Sequence, residues 1–162
     1  MLPAARAKNG VAHFVPLSGA AREVLASVTR IDNAAGYILT TTGRTAVSGF
    51  SRAKINLDKA MAEAALKERG EPVEIPHWIF HDLRRTAGTG MAERGVLPHV
   101  IERVLNHSLS GARVTHIYNR HSYADEKREA LETWGKYVTS LVTGRADNVI
   151  RIGEAASKAL LP

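Results

Sequence analysis

The chain has 162 residues, no cysteine, a net charge of +6 and an isoelectric point of about 9.9. This length suits one domain, and the absence of cysteine excludes a disulfide scaffold, a thiolate zinc site and a thiol nucleophile. No apolar run approaches the roughly 18 residues that span a bilayer, and the first residues lack the apolar core of a signal peptide. The basic charge favours nucleic acid as a partner. We therefore expect a cytoplasmic protein.

The amino end predicts a β-hairpin over residues 6–17. Asn9 and Gly10 form the strongest two-residue turn signal because both residue types tolerate positive φ, and an alternating segment follows them. A second short strand is expected over residues 37–40. The first arm of the hairpin has almost no length after Met1, which suggests that sequence is missing upstream.

Helices are predicted over most of the remaining chain. Ser18 is the expected cap of the first helix, Gly70 and Gly95 are expected stops, and Pro98 suits a first helical turn. The sequence thus predicts a fold that is mainly α with a small antiparallel β-sheet. The predicted helices lie at about residues 18–28, 51–69, 81–94, 98–105 and 124–141, with a short helix around Tyr118.

Three polar clusters, each flanked by apolar helical residues, have residue types suited to attack on a phosphodiester. Arg84 can fork onto two phosphate oxygens, and His81 and His107 can donate hydrogen bonds or transfer protons near neutral pH. Tyr118 can act as a nucleophile if a base or cationic surroundings activate it. The clusters are His81-Asp82-Leu83-Arg84-Arg85-Thr86, Leu105-Asn106-His107-Ser108 and Ile117-Tyr118-Asn119-Arg120.

Each cluster alone also has an ordinary structural explanation. A His-x-x-Arg pair is most often a solvated pair on a helix, a Leu-x-His is usually a helix end, and a tyrosine in a short helix is usually part of the core. Only their order and spacing together favour a catalytic interpretation. His77 and His81 lack a companion carboxylate motif, so we expect no metal site.

In order and spacing, the clusters resemble those of the tyrosine recombinases of the phage-integrase type. His107 follows Arg84 by 23 positions (84 to 107), and Tyr118 follows His107 by 11 (107 to 118). Lys8, before the Asn-Gly turn, resembles the hairpin lysine of that family. The resemblance extends to about Val142 and is strongest towards integrases of temperate phages and genomic islands.

The resemblance implies a DNA breaking-rejoining fold and a role for each cluster. Tyr118 would attack the scissile phosphate, leaving a 3′-phosphotyrosyl bond and a free 5′-hydroxyl. Arg84 would clamp the phosphate with help from His81 and His107, and Lys8 would protonate the leaving 5′-oxygen. No cofactor is needed, because the phosphotyrosyl ester stores the energy of the cut bond.

The family also implies partners and a domain organisation. Double-stranded DNA and further copies of the recombinase are the expected partners, at the nucleoid of a bacterial cytoplasm. Residues 1–142 would form part of an integrase catalytic domain, and residues 143–162 a carboxy-terminal tail that can be exchanged between protomers. The basic residues expected to contact DNA phosphates are Arg52, Lys54, Arg85, Arg103, Arg113, Arg120 and Lys127.

One departure from the family pattern concerns its first arginine. The family places that arginine in a Gly-x-Arg-x-x-Glu box before the hairpin lysine, and none of the seven residues before Lys8 forms such a box. Loss of one phosphate-clamping cation costs on the order of 100-fold in rate. We therefore expect the isolated chain to be nearly inactive. A catalytically inactive DNA-binding or assembly fragment and a topoisomerase-like relaxing activity remain alternatives.

Overall fold

The structure is a computed structural model that describes residues 1–107 and 121–144 of the chain. The described residues form two compact units, one made of Met1–Ala26 with the chain from Phe80 onward and the other of Ser27–Ile79. None of the helices in these ranges is long and apolar enough to cross a membrane. The helices are α1 (Gly19–Ser27), α2 (Phe50–Arg69), α3 (Phe80–Glu93), α4 (Pro98–Val104) and α5 (Ala124–Thr143).

The core of the first unit lies where α3, α4 and α5 pack against one another. Its buried members are Met91, Val100, Ile101 and Ala130. Leu141, near the end of α5, is 64% exposed. The buried positions of α5 are instead occupied by Lys127, Ala130 and Gly135.

Ser18 caps helix α1 as predicted. The Ser18 hydroxyl accepts a hydrogen bond from the backbone N–H of Ala21 at 3.2 Å, which satisfies one of the unpaired donors of the first turn. A second donor, the N–H of Gly19, is satisfied from α5 by the carboxylate of Glu132 at 2.9 Å. The start of α1 is thereby tied to α5.

The second unit contains α2 and the loops around it. Helix α2 ends as predicted at Gly70, whose φ of 76° lets its N–H bond to the carbonyl of Leu66. The strand predicted over residues 37–40 is absent, because the pairing there is limited to one bond from the N–H of Val47 to the carbonyl of Leu39.

The predicted amino-terminal hairpin is reduced to one antiparallel bridge between Leu2 and His13, with both hydrogen bonds at 2.8 Å. A 3-10 turn at Ala4–Arg6 takes up the residues that the first strand would need. The small antiparallel sheet expected from the sequence is therefore wrong for the described residues.

The turn in this segment is also shifted by one residue from the prediction. It runs from Ala7 to Gly10, with the N–H of Gly10 bonded to the carbonyl of Ala7 at 2.9 Å. Lys8 and Asn9 are thus its two central residues, and positive φ is found at Gly10 but not at Asn9.

Candidate active site

The carboxyl end of α4 is the point where three predicted site segments meet. Asn106 follows the helix with a left-handed φ of 52°, a conformation that asparagine tolerates better than most residues. Its N–H bonds to the carbonyl of Arg103 at 3.4 Å, and the N–H of His107 bonds to that of Glu102 at 3.1 Å. These two bonds form a Schellman motif, which folds His107 back over the last turn of α4.

The next carbonyls of this helix end accept hydrogen bonds from other parts of the first unit. Nε2 of His13 lies 3.2 Å from the carbonyl of Val104, and the guanidinium of Arg84 donates to the carbonyl of Leu105. Carbonyls at a helix carboxyl end carry partial negative charge, which attracts a guanidinium. The end of α4 therefore holds both the amino-terminal segment and α3.

An open pocket of about 480 Å³ brings three of the predicted catalytic side chains together. His81 and Arg84 reach it from α3, and His107 reaches it from the end of α4. One guanidinium and two imidazoles around a single space can neutralise the oxygens of an anionic ester. The other lining residues are Arg85, Gly88, Thr89, Ile101, Glu102 and Leu105.

Glu102 determines how the ring of His107 is held. Its Oε2 lies 2.7 Å from Nδ1 of His107. Because an ionised carboxylate can only accept, Nδ1 carries the proton of this bond, and Nε2 is the nitrogen available to a ligand.

Lys8 is exposed on the turn Ala7–Gly10 and is not among the residues that line the pocket. Its neighbour Asn9 is bonded to the pocket's edge. Nδ2 of Asn9 donates to the side-chain oxygen of Asn106 at 3.0 Å and to its backbone carbonyl at 3.4 Å. The turn that carries Lys8 is thereby attached to the residue before His107.

The other predicted site residues are distributed less closely. Tyr118, Arg113 and Arg120 lie outside the described residues. Arg85 lines the pocket and pairs with Asp82 at 2.8 Å.

Arg52 and Lys54 belong to the second unit, in helix α2. The Lys54 ammonium is bonded to both carboxylate oxygens of Asp58 at 2.6 Å and lies 4.0 Å from the ring centroid of Trp78. A phosphate would have to compete with these contacts.

Two further basic residues have partners within the first unit. The Arg103 guanidinium lies 4.8 Å from the ring centroid of Tyr123. Lys127 is 6% exposed, and its ammonium bonds to the carbonyl of Phe14 at 2.5 Å. In this conformation Lys127 holds the amino-terminal segment and is not available to a phosphate.

Positive charge next to the pocket affects the ionisation of its buried neighbours. Burial, followed by the charges of Lys127 and Arg84, lowers the pKa of His13, against the opposing effect of its bond to the carbonyl of Val104. Burial and then the charge of Arg103 lower the pKa of Lys127. Burial is the larger cause of both lowered pKa values, and the charges of the neighbouring Lys127, Arg84 and Arg103 add to it.

Sequence reasoning missed Glu102, Asn9 and His13 as parts of the site. Glu102 had a usable signal, because a Leu-Asn-His helix end with asparagine in the left-handed position folds the histidine back over the residue five positions earlier. The contact of Asn9 spans 97 residues, and no local pattern predicts it.

Comparison with known proteins assigns the chain to a family. The Phage integrase family model matches residues 2–125. The chain is also 30% identical over 145 residues, 88% of its length, to the prophage integrase IntA of Escherichia coli (strain K12), of which it spans 32%. No solved structure matches the chain.

The pocket lined by one guanidinium and two imidazoles is the candidate anion site of the first unit. The chain itself belongs to the phage integrase family, the tyrosine recombinases that the three sequence clusters resemble.

Proposed function

We propose that the chain is the DNA-cleaving and rejoining part of an integrase that inserts or excises a mobile element at specific sites in double-stranded DNA. The observation that carries this proposal is the pocket shared by His81, Arg84 and His107. Their order along the chain, followed by Tyr118, is that of the recombinase clusters.

The proposed reaction is a transesterification. The phenolic oxygen of Tyr118 forms a bond to the scissile phosphorus, its proton passes to a base, and the bond from phosphorus to the 5′-oxygen breaks. The 5′-oxygen takes up a proton and leaves as a hydroxyl. Attack by a 5′-hydroxyl of a partner strand reverses these steps and restores the tyrosine, so the number of phosphodiester bonds is conserved.

Arg84 and His81 would stabilise the negative charge that develops on the phosphate oxygens, and His107 would do so in its doubly protonated form, in which Nε2 also carries a proton. The bond to the Leu105 carbonyl uses one of the five N–H donors of the Arg84 guanidinium, so this group can hold the helix end and a phosphate together. His81 lies three residues before Arg84 on α3, which places both side chains on one face of that helix.

Lys8 would supply the proton to the leaving 5′-oxygen. Its position on an exposed turn attached to the pocket's edge supports this role, since a flexible lysine stem can bridge the remaining distance to bound DNA. Arg85 would contact DNA phosphates beside the pocket. Self-association, and exchange of residues 143–162 between protomers, are further parts of the proposal; residues 145–162 lie outside the described residues.

A pool of nicked DNA duplexes of randomised sequence tests the function directly. Cleavage beside a nick releases a short fragment that diffuses away, so the protein is trapped as an adduct that survives denaturation. Because the first arginine of the family is not found before Lys8, we expect the chain to form adducts slowly, so that they accumulate only on long incubation, and we expect none from Tyr118→Phe. The matched control is Tyr37→Phe, a tyrosine of the second unit, which keeps the adduct. Absence of adducts from the unaltered chain, or adducts that persist in Tyr118→Phe, would contradict the proposal.

A further inference from the structure

The side chains of Asn9 and Asn106 form a clasp between the amino-terminal turn and the end of α4. Both residues are partly buried, and the amide nitrogen of Asn9 lies 3.0 Å from the side-chain oxygen of Asn106. The other end of the same amide, Oδ1 of Asn9, accepts from the N–H of Val11 at 3.2 Å. Asn9 thus accepts from Val11, the residue after its turn, while both ends of its amide bond to Asn106 after the end of α4.

The clasp lies between residues with proposed chemical roles. On one side of the contact, Lys8 and Asn9 are the adjacent central residues of the turn. On the other, Asn106 stands between Leu105, whose carbonyl accepts from Arg84, and His107. A shift of either asparagine therefore changes the position of Lys8 relative to the phosphate-binding residues.

We propose that Asn9 is a positioning residue for the leaving-group proton, which acts by holding Lys8 beside the pocket through Asn106. This inference rests on the proposed function, because that function gives Lys8 its role. Asn9 itself touches neither the phosphate nor the reacting atoms.

Among the residues that the structure describes, the other bonds of the amino-terminal segment leave the turn to the clasp. The bridge between Leu2 and His13 closes this segment on itself, and the bonds of His13 to Val104 and of Lys127 to Phe14 attach it to the rest of the unit. All of these contacts lie outside the turn itself. Lys8 also has a long stem with several rotatable bonds, so an unattached turn would spread its ammonium over a wide volume.

A substrate with sulfur in place of the bridging 5′-oxygen separates positioning from general structural damage. A thiol is far more acidic than an alcohol, so a thiolate leaves without a proton donor. We expect Asn9→Ala to slow adduct formation about 10-fold on the oxygen substrate and to leave the sulfur substrate unaffected, as for Lys8→Ala. Equal slowing on both substrates, or no slowing on either, would overturn the inference.

Two changes at Asn106 test whether the effect passes through the clasp. Asn106→Gly removes the side chain but keeps the left-handed conformation, and we expect it to match Asn9→Ala. The double variant should be no slower than either single one, because both remove the same contact. Additive losses would overturn the inference. Asn56→Ala, on α2 in the second unit, is the matched control and should cleave normally.

A measurement that does not depend on DNA cleavage tests the role of Asn9 separately from the proposed function. The chain has no cysteine, so a nitroxide label on Lys8→Cys occupies a single position. We expect it to broaden the imidazole resonances of His107, and to broaden them less when Asn9→Ala is added. Unchanged broadening would overturn the clasp. If the chain forms no adduct on either substrate, the proposed function fails while this measurement still decides whether Asn9 positions residue 8.

Discussion

Nδ1 of His107 lies 2.7 Å from the carboxylate of Glu102, within the same turn that the left-handed Asn106 closes. The bond joins two residues that line one pocket, so an acidic side chain lies inside the candidate anion site. The role of this carboxylate is to hold His107: its negative charge faces the imidazole ring, to which it is hydrogen-bonded. The ring is then held by a backbone bond and a side-chain bond to the same residue.

Replacement of Glu102 should slow DNA cleavage without preventing folding. Loss of a hydrogen bond to a charged group is worth about 1.4 kcal/mol, so Glu102→Ala should slow adduct formation on the order of 10-fold. Glu102→Gln should lose less, because the amide oxygen still accepts from Nδ1. Glu129→Ala, at an exposed position of α5, serves as the control. A normal rate for Glu102→Ala would show that His107 needs no partner.

Replacement of Arg84 by lysine should be costly although the charge is retained. A lysine ammonium cannot hold the Leu105 carbonyl and fork onto two phosphate oxygens, so we expect adduct formation to fall by about 100-fold. Arg128→Lys, an exposed arginine of α5 paired with Asp125, should cleave normally. Similar rates for Arg84→Lys and the unaltered chain would contradict the bidentate role.

Two neighbouring glycines of α3 should respond in opposite ways to alanine. A methyl group at Gly90 would overlap the ring of Trp134, with Cη2 at 2.8 Å, whereas one at Gly88 meets the nearest atom of Leu105 at 3.4 Å. We expect Gly90→Ala to lower the free energy of unfolding in urea by about 1–3 kcal/mol. Gly88→Ala should be neutral or stabilising by up to about 1 kcal/mol, because alanine favours helix. Equal effects would mean that Trp134 moves away freely.

The stability of the first unit should depend on pH through His13. Its pKa is lowered in the folded chain from the ordinary value of 6.5, so the unfolded chain binds the proton more readily. The contribution of neutral His13 is complete above that ordinary pKa and is lost as pH falls from there towards the lowered folded pKa. Below both values no further loss occurs.

His13→Gln tests this dependence, because glutamine can still donate to the Val104 carbonyl but does not titrate. Urea unfolding at about pH 7.5 and about pH 5.5 should show a smaller loss of stability for the variant than for the unaltered chain. His77→Gln, at an exposed position of the second unit, should leave the difference unchanged. An identical loss in His13→Gln would contradict the burial argument.

Local patterns in the sequence predict the five helices of the described residues and several of their ends; the short helix predicted around Tyr118 lies outside the described residues. Ser18, Gly70, Gly95 and Pro98 are end signals whose physics is local, since each acts on backbone groups within about four residues. The order and spacing of Arg84 and His107 also indicated the family, because proteins that share a chemistry keep the same residue types in the same order.

The surroundings of these residues depend on packing between distant segments. The hairpin failed because the 3-10 turn at Ala4–Arg6 and the shifted turn at Lys8 and Asn9 leave one bridge where the pattern suggested two strands. The bonds from Arg84 to Leu105 and from Asn9 to Asn106 join segments 21 and 97 residues apart. Such contacts depend on where the ends of packed helices lie. The residue pattern within a single segment does not predict those positions.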